Sequence, residues 1–119
     1  MRLRYDPNAH VKLKNFGPRY LECDDKIGQK LKDYLANYEN LVIEIGMGKG
    51  QFLAKMALLS PKTLFLGVEQ APAVLACAIK NPLVQQTPNL IVCAVNAILL
   101  PSMLNEIKSK AIYLNFSDP

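Results

Sequence analysis

Apolar residues recur at Ile27, Leu31, Tyr34, Leu35 and Tyr38, one face at helical spacing, and Asp24-Asp25 stand ahead of them where an N-cap and acidic first turn belong. The run Leu41–Ile45 is apolar except for Glu44 and predicts a strand. Phe52, Leu53, Met56 and Ala57 predict a helix that Ser60-Pro61 ends. The alternation then repeats. Residues 63–68 read as a strand, Pro72 opens a helix carrying Val74, Leu75, Ala78 and Ile79, and Asn81-Pro82 stops it. A strand is predicted at 89–95, a helix from Pro101 bearing Met103, Leu104 and Ile107, and a fourth strand at 111–116.

Strands separated by helices on short links demand parallel pairing and right-handed crossovers. The fold class is therefore α/β: an open Rossmann-like sheet of four parallel strands alternating with helices, plus one extra N-terminal helix. Sheets of this type carry about six strands, so the sheet is expected to be incomplete, lacking its C-terminal strands, and the sequence to be truncated. Residues 1–23 contain Asp-Pro and Gly-Pro and no sustained period, which reads as an extended arm with turns. Residues 24–119 form the α/β part.

Composition narrows the class. Half of the 119 residues are hydrophobic, enough for a real core. The longest apolar runs fall short of the roughly 20 residues that cross a bilayer, and no apolar leader follows Met1. Cys23, Cys77 and Cys93 form no C-x-x-C pair, and His10 alone cannot complete a zinc site with them. Reduced thiols in a cytoplasmic protein, with no metal and no membrane, are the expectation. The net charge of +4 is concentrated at the start. Residues 1–20 hold Arg2, Arg4, Lys12, Lys14 and Arg19 against Asp6, or 5 − 1 = +4, and the rest holds nine basic and nine acidic residues. A basic arm attracts a polyanion or is a solvated tail, and composition leaves both open.

Ligands of open α/β sheets bind outside the C-terminal strand ends. Those ends carry Glu44-Ile45-Gly46-Met47-Gly48-Lys49-Gly50, Val68-Glu69-Gln70, Val95-Asn96-Ala97 and Asn115-Phe116-Ser117-Asp118-Pro119. Each strand thus delivers an acid or an amide to one rim. The glycine loop lets a ligand approach the backbone, but it is neither a P-loop nor G-x-G-x-x-G, since its third glycine comes one residue early. Glu44 beside that loop would repel a pyrophosphate and favours a ligand with cationic groups, such as S-adenosyl-L-methionine with its ammonium and sulfonium. Glu69, 23 residues beyond Gly46, has the spacing of an acid that accepts ribose hydroxyls. Asn96 can donate to and accept from an adenine edge, and Asp118 would face the methyl acceptor. Taken singly, Glu69 can cap a helix, Asn96 can be a turn residue and Asp118 can be solvated. Glu44 differs, because an unpaired carboxylate in an apolar strand costs several kcal/mol. Lys49 reads as a solvated first-turn lysine, and neither His10 nor Ser117 has catalytic partners.

The segments "MRLRYDPNA", "IEIGMGKGQFL", "FLGVE", "NLIVCAVNA" and above all "YLNFSDP" resemble the bacterial tRNA (guanine-N7-)-methyltransferases. These are class I S-adenosylmethionine-dependent enzymes that modify the variable-loop guanosine, number 46 by tRNA convention. The resemblance implies that Glu44, Gly46, Glu69, Asn96 and Asp118 bind S-adenosyl-L-methionine, that Asp118 is also catalytic, and that tRNA is the partner. It implies a monomer, with self-association open to it through the uncovered sheet edge. Many relatives carry an acid at the Asn96 position. Met47 stands where relatives often place Cys or another small residue, and its side chain is expected to turn from the ligand. The family continues past Asp-Pro with Trp-Pro-Lys and further strands bearing tRNA and guanine contacts, so doubtful activity alone is expected of this chain. An NAD-type dinucleotide-binding module and a non-catalytic RNA-binding remnant are the other readings.

Overall fold

Alternation of apolar runs and amphipathic stretches resolves, in a computed structural model that describes residues 5–104 and 107–114, into a four-stranded sheet flanked by helices. The strands are β1 (Asn40–Ile45), β2 (Thr63–Glu69), β3 (Leu90–Ala94) and β4 (Ala111–Leu114). All pairings are parallel, in the order β3-β2-β1-β4. Strand order reverses at β1, where consecutive crossovers run to one side as far as β3 and then return to β4. The crevice above that reversal is where this architecture places ligands.

The helices are α1 (Ala9–Asn15), α2 (Ile27–Leu35), α3 (Gln51–Leu59), α4 (Pro72–Ala78), α5 (Pro82–Gln86) and α6 (Leu100–Met103), with a single 3₁₀ turn at Ala97–Leu99. Period-2 alternation splits the sheet into two cores. Leu41, Ile43, Leu64, Leu66, Val68, Ile91 and Cys93 face α2 and α6 and meet Ile27, Leu31 and Met103. Val42, Phe65 and Leu90 face the other way, onto Leu53, Ala54 and Ala57 of α3 and Val84 of α5. Between the helices and β3, the side chain of Asn89 donates to the carbonyls of Ala57, Ser60 and Thr63, so its buried amide is fully used.

The first three strands are buried, whereas β4 is not. Ile112, Tyr113 and Leu114 are 50 %, 40 % and 59 % exposed, and one β4 edge has no described neighbour. Tyr113 packs edge-on to Phe52 of α3 at 5.8 Å between ring centroids.

Three expectations are corrected. The N-terminal arm is not extended throughout, because α1 forms within it and buries Ala9 and Leu13 against Leu75, Ala76 and Ile79. Beyond α1 the segment docks on the free edge of β3. Tyr20 bridges Val92 in parallel, Leu21 N–H donates to Val92 O at 2.8 Å, and Val92 N–H donates to Arg19 O at 2.9 Å. The second correction is α5, which Pro82 opens rather than merely stopping α4, with the Asn81 side chain accepting from Leu83 N–H. Third, the helix expected from Pro101 through Ile107 is one short turn, α6, that ends at Met103. The last two residues of the predicted fourth strand, Asn115 and Phe116, lie outside the described residues.

Candidate functional site at the carboxyl ends of the strands

The chain leaves β1 through Gly46, Met47, Gly48, Lys49 and Gly50 before α3 begins. Gly46, Gly48 and Gly50 have φ of 80°, 58° and 78°, the left-handed region that glycine alone enters without strain. Gly46 and Met47 N–H both donate to Val68 O, at 2.8 and 3.1 Å, which folds the loop back over β2. Met47 is buried. Its thioether lies where a side chain at Gly67 would be, so a Cβ at that position would collide with Met47 Sδ. Its Cε also stands 2.9 Å from the Cβ position of Gly50. The loop is pinned by that one side chain. Sequence reasoning passed over Gly67, although a glycine inside an apolar strand signals close approach by another group.

Glu69 closes the loop from the end of β2. Oε1 accepts from Gly48 N–H and Oε2 from Ala71 N–H, both at 3.1 Å. The carboxylate therefore ties the glycine loop to the start of α4 while remaining partly exposed on the rim. Each oxygen keeps a further lone pair for an incoming hydroxyl.

Glu44 is 2 % exposed, and its Oε1 has no hydrogen-bond partner. It pairs with Gly67 on β2 and Tyr113 on β4, so apolar strand surrounds it on both sides. Loss of water raises its pKa from 4.5 to about 7. Burial likewise pushes the Cys93 thiol up to about 12, which leaves it inert.

Asn96 follows β3 and is exposed. Its Oδ1 accepts from Ile98 N–H at 3.0 Å, capping the 3₁₀ turn, and its amide NH₂ remains available on the rim. A cleft of about 160 Å³ opens among Ile45, Gly46, Val68, Glu69, Gln70, Val95 and Ala97. The structure thus brings Gly46 and Glu69 to one cleft with Asn96 beside it. Glu44 does not line that cleft but is buried one strand position below its rim. Asp118 lies outside the described residues, as do Arg2 and Arg4. A larger cleft of about 560 Å³, between the start of α2 and Leu99–Met103, holds none of the residues expected to carry chemistry.

The arm's cations have definite tasks. Arg19 donates to the carbonyls of Val84, Thr87, Leu90 and Gln85 at 2.6 to 3.1 Å and sits over the Phe16 ring at 4.6 Å. Lys12 pairs with Asp6 at 2.7 Å, and Lys14 stands 3.8 Å from Glu22. Among the described residues no cluster could hold a metal ion and no helix is long and apolar enough to cross a membrane.

The residues fit a cationic ligand better than a phosphate. An orphaned, buried carboxylate oxygen offers nothing to an anion, whereas a cation would satisfy it. A Cβ at Gly48 would meet nothing within 4 Å, so the loop's outer side is open to a ligand.

Comparison with known proteins gives a consistent picture. The family model described as "Putative methyltransferase" matches residues 38–119. The tRNA (guanine-N(7)-)-methyltransferase of Listeria innocua is 34 % identical over 119 residues, covering all of this chain and 56 % of that protein. The protein of the same name from Ureaplasma urealyticum is 40 % identical over 124 residues, covering all of this chain and 54 % of its own. The chain spans about half the length of the curated relatives it matches. Among solved structures, a tryptophan-to-alanine mutant of the 16S rRNA (adenine(1408)-N(1))-methyltransferase from Catenulisporales acidiphilia with cosubstrate SAM superposes with a TM-score of 0.60 at 17 % identity, over 77 % of this chain and 46 % of that one. That likeness is one of fold.

Proposed function

We propose that this chain, which belongs to the methyltransferase family matched over residues 38–119, is the cofactor-binding part of a tRNA (guanine(46)-N(7))-methyltransferase that uses S-adenosyl-L-methionine. The observation that carries the reading is the buried Glu44 with its unpartnered Oε1, next to a glycine loop that Glu69 holds open-faced. Curated relatives named for guanine-N7 methylation of tRNA support the substrate class.

In this reading Glu44 meets positive charge on the ligand, Glu69 accepts from ribose hydroxyls, Gly46 lets the ligand approach the backbone, and Asn96 addresses the base with its free amide. S-adenosyl-L-methionine, when bound, supplies an electrophilic methyl on a sulfonium. Guanine N7 presents a lone pair and needs no base to remove a proton. The chain's own task is then to hold the two reactants in line and to stabilise the cationic product base. Asp118 serves that second purpose as the catalytic carboxylate and also contacts the cofactor. Because Arg19 is spent on backbone carbonyls, phosphate contact falls to Arg2, Arg4 and Lys14, and to Lys12 once it exchanges Asp6 for a phosphate. We place the chain in the cytoplasm.

Calorimetric titration with S-adenosyl-L-methionine and, separately, with NAD tests the cofactor. Saturable binding of the first and none of the second is the expected result, and preference for NAD would replace the reading with a dinucleotide module. For the partner, neutralising Arg2, Arg4, Lys12 and Lys14 should flatten the salt dependence of tRNA binding by about 0.7 to 0.9 in log–log slope per lost contact. An unchanged slope would return the arm to a solvated tail.

A further inference from the structure

Glu44 has a chemical peculiarity beyond contact with a ligand. The carboxyl is enclosed by the sheet, and Oε1 receives no hydrogen bond. Residues paired across a parallel sheet project to the same face. The neighbours of Glu44 on that face are therefore Gly67, whose space the Met47 thioether fills, and Tyr113. The next residue on that face of β2 is Glu69, an acid whose two oxygens both accept from backbone N–H groups. Other titratable groups around this face are Cys77 of α4, Lys55 of α3 and Lys49 of the loop, with both lysines exposed, and His10, Lys12 and Lys14 of α1, of which Lys12 is held by Asp6. None of these donates to Oε1. A carboxylate in such surroundings lacks both water and a counter-charge, and neutralisation is the ordinary outcome.

We propose that Glu44 is protonated in the ligand-free chain and ionises when a cationic ligand arrives, so that binding S-adenosyl-L-methionine expels one proton to solvent. The inference rests on the cofactor reading above and adds a property to it. The proton balance is simple: the carboxyl O–H bond breaks, the proton passes to buffer, and the resulting carboxylate pairs with the ligand's positive charge. A neutral ligand of the same shape brings no charge to pair and expels no proton. Glu44 thereby selects for charge, and it does so most strongly above the pH at which it ionises, where no proton has first to be removed. Because Glu44 is 2 % exposed, a ligand's cation reaches it only as the neighbouring glycine loop gives way. That loop holds three residues at positive φ, with Met47 and Glu69 as its fastenings.

The test is calorimetric titration with S-adenosyl-L-methionine at pH 6, 7 and 8, each in two buffers of low and high ionisation enthalpy, on the wild-type chain and Glu44→Gln. With a carboxyl that titrates near 7, the wild type should release about 0.9 proton more than the variant at pH 6 and about 0.1 more at pH 8. The variant's count subtracts any protons contributed by the ligand's own amine. Binding with equal counts in the two proteins would mean that Glu44 is already charged, which overturns this proposal and leaves the cofactor reading intact. Binding by neither overturns the cofactor reading and this proposal with it. Should Glu44→Gln fail to fold, infrared spectra of the wild type decide: the carbonyl band of a protonated carboxyl should be present in the free chain and vanish on saturation. Its persistence at saturation, or its absence from the free chain, would refute the proposal.

Discussion

Folding stability should fall as pH rises from about 4.5 to 7, and Glu44 should account for the slope. The sign comes from proton binding. In the unfolded chain the carboxyl titrates near its ordinary 4.5, and in the folded chain near 7. Between those values the folded state holds the proton that the unfolded state has lost, so adding base favours unfolding. Below 4.5 both states are protonated and the full stability is present. Above 7 both are ionised and the loss is complete. A difference of about 7 minus 4.5, at 1.36 kcal/mol per unit, amounts to roughly 3 kcal/mol. That is a large share of the 5 to 15 kcal/mol by which domains are usually stable. Urea denaturation at half-unit steps from pH 4.5 to 8.5, comparing wild type with Glu44→Gln, reads the effect. Glutamine mimics the protonated acid but brings an amide that also needs partners, so its overall level is uninformative. The slope is what matters. The wild type should lose stability steadily up to pH 7 and then level off, and the variant should lack that component. Parallel profiles for the two proteins would show that Glu44 is ionised in the native chain and would refute the argument from burial.

Gly67→Ala should destabilise the chain by about 1 to 3 kcal/mol, because its Cβ would collide with Met47 Sδ. Met47→Ala in the same chain should recover part of that loss, and additive effects in a double-mutant cycle would refute the packing argument. Arg19→Ala should cost about 3 kcal/mol by stranding the carbonyls of Val84, Gln85, Thr87 and Leu90. Hydrogen exchange should then accelerate over residues 9–21, and a melting temperature equal to wild type would contradict the clamp. In a complete enzyme carrying this segment, Asp118→Ala should lower methyl transfer to tRNA by about 100-fold or more while S-adenosyl-L-methionine affinity changes far less. Undiminished transfer would remove Asp118 from the catalytic role.

The α/β architecture was legible because its signal is repetitive and local. Four apolar runs, with helical stretches around residues 52–57, from Pro72 and from Pro101 between them, fix parallel pairing before any contact is known. What escaped depends on tertiary context. The α1 helix offers only Ala9 and Leu13 to the core, and its exposed Val11 breaks the apolar stripe. Its stability comes from packing on α4, to which the N-terminal sequence gives no clue. Likewise Asn81-Pro82 reads equally well as a stop and as a start, since the Asn side chain caps the α5 helix that Pro82 opens. At the candidate site, the strand-end positions of Gly46, Glu69 and Asn96 can be read from the sequence alone. Their hydrogen bonds cannot. That Glu69 holds Gly48, that Asn96 caps Ile98, and that Glu44 stands below the cleft rather than in it all depend on side-chain directions, which near the loop are fixed by Met47 and Gly67.

The docking of residues 19–21 on β3 has a consequence during protein synthesis. Arg19 bonds to carbonyls 65 to 71 positions later in the chain. On a ribosome adding about 5 to 20 residues per second, those acceptors emerge roughly 3 to 14 s after Arg19 itself. Until residues 75–92 have emerged, Leu13 lacks the Leu75, Ala76, Ile79 and Val92 side chains that cover it, and the nascent segment is a ready target for chaperones. A segment made 65 to 71 positions ahead of its acceptors therefore settles only after they arrive.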